Sequence, residues 1–168
     1  MIEKFKTLFF VKISLISLYL ALTIPIPFIS SDQLKNISLI AFALGLYFIF
    51  NITNDHVEIC NNKISYKISF ISKIFGKKNW EIPWKDIKLI KSLDTSQGSK
   101  VYYFNTSRDE NFLLPQRIEN LEKFLEIVTK KTGIPTNDKT YISPLWTYKL
   151  LTLISVLMII GEIFAFLN

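Results

Sequence analysis

Cysteine, histidine and glycine are all scarce in this chain: one, one and five in 168 residues. Cys60 alone cannot close an internal disulfide, and one Cys with one His excludes most zinc sites built from those ligands. His56 and Cys60 are four positions apart, roughly 13 Å along a strand at ~3.3 Å per residue. Local geometry therefore makes them neither a metal pair nor a nucleophile–base pair. Five glycines leave little for a phosphate-binding loop, and no paired carboxylates or Ser-His-Asp arrangement is visible. No catalytic, cofactor-binding or metal-ligating residue is assigned, and the chain is read as non-enzymatic. Its basic residues are scattered rather than aligned, so nucleic acid is not expected as a partner, and no small-molecule substrate is suggested.

What the chain has in abundance is apolar sequence in blocks. Hydrophobic residues make up 49% of it, with 14 Phe. Three stretches stand out: Leu8 to Pro25, Ile37 to Ile52, and Leu145 to Leu167. A membrane span needs about 20 apolar residues. The third stretch meets this with only Lys149 and Glu162 as interruptions. The first meets it if Lys12 snorkels to the headgroups. The second is short at 16 residues, but only the turn 30–36 separates it from the first, as in an antiparallel helix pair. Pro25 and Pro27 are expected to end the first helix. No small-x-small cleavage pattern follows it, which argues against a signal peptide. Gly45 and Gly161 each offer a close helix contact, without a small-xxx-small pair.

Charge orients the spans. Region 54–143 carries 15 Lys+Arg against 11 Asp+Glu, a net +4, and Lys4, Lys6 and Lys12 crowd the N-terminus. By the positive-inside rule the N-terminus and the middle domain are cytoplasmic and the C-terminus lies outside a multi-pass cell (inner) membrane protein. The expected layout is a two-span hairpin over 1–53, a cytoplasmic domain over 54–133, a linker over 134–144 and a third transmembrane helix over 145–168.

The middle region alternates like β-structure. Strands are expected at Asp55–Cys60, Lys63–Ile71, Trp80–Pro83, Ile87–Leu93, Val101–Thr106 and Phe112–Leu114, with Ser96-Gln97-Gly98-Ser99 as a hairpin loop. From Ile118 the period changes: Ile118, Leu121, Leu125 and Val128 share a face, predicting an amphipathic helix that Gly133 ends. Six or seven antiparallel strands curled into a partial barrel, capped by this one helix, would bury a meander that cannot bury its face alone.

The run Trp80-Glu81-Ile82-Pro83-Trp84-Lys85-Asp86-Ile87 resembles the Ile-Pro-Trp-x-Asp-Ile turn of bacterial pleckstrin-homology-like (PH-like) membrane proteins. Phe112-Leu113-Leu114-Pro115-Gln116-Arg117, leading into the helix, resembles that family's last strand and C-terminal helix, over about residues 8–133. The resemblance implies an α+β membrane protein with a PH-like partial barrel behind two N-terminal spans. Ile82, Pro83, Trp84, Asp86 and Ile87 would be its structural motif, with Asp86 capping the turn. The third span departs from the commoner two-span layout. A weaker likeness is to two-span, one-domain factors that assist photosystem assembly.

Lys73, Phe75, Lys77, Lys78 and Trp80 form the densest basic–aromatic patch and are candidate lipid contacts, in a turn of the kind where lipid-binding PH domains place phosphate contacts. Trp80 and Trp84 are expected as core or membrane-facing aromatics rather than as a stacking platform. Membrane lipid is one expected partner, and a protein or a second copy of the chain the other. The functional expectation is a scaffold that presents its domain at the inner leaflet. Its alternatives are an immunity protein intercepting a toxin in the bilayer and a membrane-complex assembly factor.

Overall fold

The computed structural model describes residues 2–94, 100–115, 117–136 and 144–167. The expected loop 96–99, Gln116 and most of the expected linker lie outside the described residues. In chain order the elements are β1 (Glu3–Lys6), α1 (Phe9–Thr23), α2 (Pro25–Ile29), α3 (Asp32–Ile52), β2 (His56–Ile59), β3 (Lys63–Lys67), α4 (Phe70–Ile74), β4 (Trp80–Pro83), a 3-10 turn (Trp84–Asp86), β5 (Ile87–Asp94), β6 (Lys100–Thr106), β7 (Asn111–Leu113), α5 (Leu121–Thr132) and α6 (Leu145–Leu167). They form two compact units, Met1–Leu8 with Asn54–Pro144, and Phe9–Thr53 with Leu145–Asn168.

The second unit holds three helical stretches long and apolar enough to cross a membrane: Phe9–Ile29, Asp32–Ile52 and Leu145–Leu167. The prolines do not simply stop the first. α1 ends at Thr23, and Pro25, at the start of a helix where its missing N–H is no loss, opens the short α2. α3 is longer than its apolar run, 21 residues rather than 16. Asp32 in its first turn suits the helix dipole, and a helix end outside the apolar core needs no apolar residues. At 1.5 Å per residue it reaches about 31 Å.

α1 packs closely against α6, and the buried residues of these helices include the small side chains Ser14, Ser17 and Ala21 of α1 and Ser155 of α6. Each serine hydroxyl is satisfied by a carbonyl of its own helix. Small side chains of this kind let apolar helices approach; Ser17 and Ala21 are a small-xxx-small pair, which corrects the expectation that none is present. Across α1 and α3, the Tyr19 hydroxyl donates to the Phe42 carbonyl at 2.8 Å, and its ring occupies the space a β-carbon on Gly45 would need. Gly161 makes no comparable close approach. Lys12 lies over the Phe50 ring at 5.5 Å and Lys149 over Phe10 at 5.0 Å.

The first unit is α+β, with two antiparallel sheets in the orders β1-β2-β3-β4 and β5-β6-β7. The sheets are not joined into a closed barrel. β1 is the element the sequence conceals. Its residues read as the basic flank of a span, yet Phe5 pairs with Val57 and Lys4 with Glu58 across β1 and β2. Phe5 is buried and meets Phe124 of α5 edge to face at 5.2 Å. Lys123 pairs with Glu3, and the Glu119 N–H donates to the Lys6 carbonyl.

The core lies between the inner sheet faces and α5. Phe5, Val57, Ile59, Ile64 and Ile82 come from the first sheet, Tyr102 and Phe104 from the second, and Leu121, Phe124, Leu125 and Val128 from α5. α5 starts three residues later than its periodicity suggests. Ile118 is instead bridged to Thr7, and Asn120 turns the chain in a left-handed conformation, φ 52°. Gly133 ends the helix at φ 71°, its N–H donating to the Thr129 carbonyl at 2.8 Å.

β3 is likewise shorter than its alternation. It stops at Lys67, and α4 begins at Phe70. Ser69 caps α4 by accepting the Ser72 N–H, a local bond that competes with continued extension.

Candidate functional site

Three features of the first unit could carry function: a buried carboxylate holding α4, a cleft beside the Ile82–Ile87 turn, and an apolar outer sheet face.

Asp55 is 6% exposed and collects an unusual number of donors. Its Oδ1 accepts the Ser69 N–H at 2.8 Å and the Ser72 hydroxyl at 2.9 Å. Its Oδ2 accepts Tyr66 Oη at 3.2 Å and Lys77 Nζ at 3.1 Å. Burial pushes the Asp55 carboxyl up, but the Ser69 amide, the Lys77 ammonium and the Ser72 hydroxyl together outweigh it and hold the group below its ordinary value. Burial, with the carboxylate beside it, raises Tyr66. Ser72 is fully buried and donates to Asp55, so no substrate reaches it as a nucleophile. The cluster organises the root of α4.

That arrangement sorts the five residues of the candidate lipid patch. Lys77 turns onto Asp55. Trp80 packs among Tyr66, Phe104 and Phe112 with ring centroids 5.6–6.1 Å away. Lys73, Phe75 and Lys78 stay exposed, and Phe70 and Ile74 join them at the surface. The alternation of the β3 sequence predicts an inward face for Phe70, and the turn into α4 reverses it.

In the Ile-Pro-Trp-x-Asp-Ile turn, Ile82, Trp84 and Ile87 are buried. Pro83 closes β4, and Trp84 anchors the β2–β3 turn through Nε1 to the Cys60 carbonyl at 3.0 Å and its backbone N–H to the Asn62 carbonyl at 3.1 Å. The Asp86 carbonyl accepts the Ser107 N–H at 2.9 Å, and the residue lines a cleft with Glu81, Arg108 and Glu110. His56 contacts Glu58 at 3.4 Å and the Asn54 carbonyl at 3.2 Å, without approaching Cys60 through these bonds. Among the described residues no group of three acidic, His or Cys side chains has the arrangement of a metal site. In the second unit, Glu162 Oε2 is buried with no hydrogen-bond partner among the described residues.

The two outer sheet faces differ in chemistry. On the first sheet, Lys4 faces Glu58 at 2.9 Å, and Glu81 is held between Lys63 at 2.6 Å and Lys67 at 2.5 Å. Those two ammonium groups pull Glu81 down to about 2. This is a solvated face. On the second sheet the register aligns Leu89, Lys91 and Leu93 of β5 with Asn105, Tyr103 and Val101 of β6, and Tyr103 with Leu113 of β7. Leu89, Leu93 and Leu113 are 45%, 56% and 50% exposed, and the opposite face of the same strands carries the buried Tyr102 and Phe104.

No family model matches the chain. It is similar to the uncharacterized protein slr0269 of Synechocystis sp., 32% identical over 154 residues that cover 88% of this chain and 77% of that protein. The fold and composition define an α+β protein with apolar helices of membrane-spanning length, and the chain belongs to the family of that cyanobacterial protein.

Proposed function

We propose that this is a non-enzymatic integral membrane protein whose first unit, a PH-like domain, acts as a protein-binding scaffold on the cytoplasmic side of the membrane. The membrane half is supported by the three apolar helices. The pairing of β1 with β2 adds a constraint: the segment Phe9–Ile52 leaves one folded unit and returns to it. An apolar excursion with both ends in one water-soluble unit crosses an even number of times, so α1 and α3 cross as a pair. The basic balance of the unit then favours the cytoplasmic side. Two antiparallel sheets sharing a core with one C-terminal helix support the PH-like reading.

The observation that carries protein binding is the group of exposed Leu89, Leu93 and Leu113 around Tyr103 and Lys91 on the outer face of the second sheet. A solvated antiparallel sheet normally alternates apolar inside with polar outside, as the first sheet does. Exposed apolar residues grouped on one face mark an interaction surface. The test is photo-cross-linking of the full-length protein in its native membrane, with the reactive side chain at Leu93 and a control at Lys67. The expected result is a discrete protein adduct from position 93 that Leu89→Lys abolishes. Equal labelling at both positions, or lipid adducts alone, would overturn the reading.

A further inference from the structure

Phe70, Ile74 and Phe75 are 70%, 65% and 63% exposed, and neither the core nor the second-sheet face accounts for them. A five-residue helix has no stability of its own in water. This one is fixed at its root, because Ser69 and Ser72, at its cap and in its middle, are both bound to the buried carboxylate of Asp55. The three apolar side chains are therefore held outward. Between Phe70 and Trp80 the chain carries Lys73, Lys77 and Lys78 and no acidic residue. Lys77 pairs with Asp55 while its side chain stays about half exposed, and Lys73 and Lys78 are exposed beside the apolar tip.

The geometry points to α4 as an interfacial foot that docks on an anionic lipid bilayer. Phe70, Ile74 and Phe75 enter the boundary between headgroups and acyl chains, and Lys73 and Lys78 lie against lipid phosphates. Two observations favour a bilayer over a protein groove. The charge is of one sign and borders an apolar tip, the pattern of interfacial membrane segments. The tether is also short: Asp55 comes three residues after Ile52, the last residue of α3, and three extended residues span about 10 Å. The inference rests on the membrane half of the reading above and not on protein docking at the second sheet.

The test uses the full-length protein with Ile74→Cys in a Cys60→Ser background, labelled with a small fluorophore. It is reconstituted in phosphatidylcholine alone and in equal parts phosphatidylcholine and phosphatidylglycerol. Lipids brominated on the acyl chain and a water-soluble quencher report where the probe sits. In anionic membranes the probe is expected to be quenched by the brominated lipid and shielded from the aqueous quencher, while a label at Asp109→Cys stays water-accessible. A lysine near an anionic surface shifts docking by about fivefold, so Lys73→Gln with Lys78→Gln should lower the docked-to-undocked ratio about thirtyfold. Aqueous access in both membranes overturns the inference. So does equal lipid quenching in both that the lysine substitutions leave unchanged, and so does shielding without lipid quenching, which would place a protein over the tip. The cross-link from Leu93 is read separately, so failure of one reading does not imply failure of the other.

Discussion

A single carboxylate ties several elements of the first unit together. Asp55 joins the start of β2, the Tyr66 hydroxyl of β3, the cap of α4 and Lys77 beyond it. Asp55→Asn removes the charge and turns one of the two acceptor oxygens into an amide donor, so the donors on one side of the group lose their acceptor. Hydrogen bonds to charged groups contribute about 1.5–3 kcal/mol each and are not additive, so Asp55→Asn is expected to cost about 2–4 kcal/mol, read as a lowered unfolding temperature of the purified protein. The pH dependence follows from the direction of its shift. A carboxyl held below its ordinary value adds stability above its unfolded pKa, about 3.9, and loses it as pH falls through the lower folded value. The stability difference between the native protein and the Asp55→Asn variant should be constant at neutral pH and shrink only below about pH 4. Glu81 follows the same sign, with its contribution lost between roughly pH 4.3 and its folded value of about 2. A titration of the Glu81 carboxyl by NMR checks that midpoint. In the second unit, Gly45→Val puts a branched side chain where the Tyr19 ring lies. Overpacking of this kind costs about 1–3 kcal/mol, and Tyr19→Ala should restore part of the loss in a double-mutant cycle measured by thermal unfolding.

At the scale of elements, β1 shows how a short strand escapes a pattern search. Four residues contain one apolar side chain, and Lys4 and Lys6 look the same whether they flank a span or face solvent on a sheet. Its energetic weight is nevertheless considerable. Truncating a buried Phe costs about 3–5 kcal/mol, so Phe5→Ala should destabilise the first unit by that order, seen as faster proteolysis of the segment after residue 54. Phe5→Leu should recover most of it. The same limit explains β3 and α4. The alternation of Ile64, Tyr66, Ile68 and Phe70 is real, but Ser69 and Ser72 have a better option in Asp55, fourteen and seventeen positions away in sequence. No local window contains that carboxylate. The burial of Ile82, Trp84 and Ile87 is set within one turn, by residues close in sequence.

For the whole molecule, the consequence of β1 is topological. Residues before α1 and after α3 share one core, so under the proposed membrane reading the segment between them crosses an even number of times. Single cysteines at Ile2 and Asp109, in a Cys60→Ser background, are expected to react with a membrane-impermeant thiol reagent from the same side. A cysteine at Ser31 should react from the other. Labelling of positions 2 and 31 from one side would overturn the paired crossing.

Composition and spacing alone determined which segments are suited to a bilayer, because crossing one requires long apolar runs and those are visible without a structure. They also determined the α+β character of the middle region, since periods of 2 and 3.6 are local properties. Only the tertiary structure decided which face of each sheet meets water, that Lys77 pairs with Asp55 beside the apolar tip, and that the first strand belongs to a domain whose other strands lie some fifty residues away. Those outcomes depend on contacts between residues distant in the chain, and such contacts leave no periodic trace in the sequence.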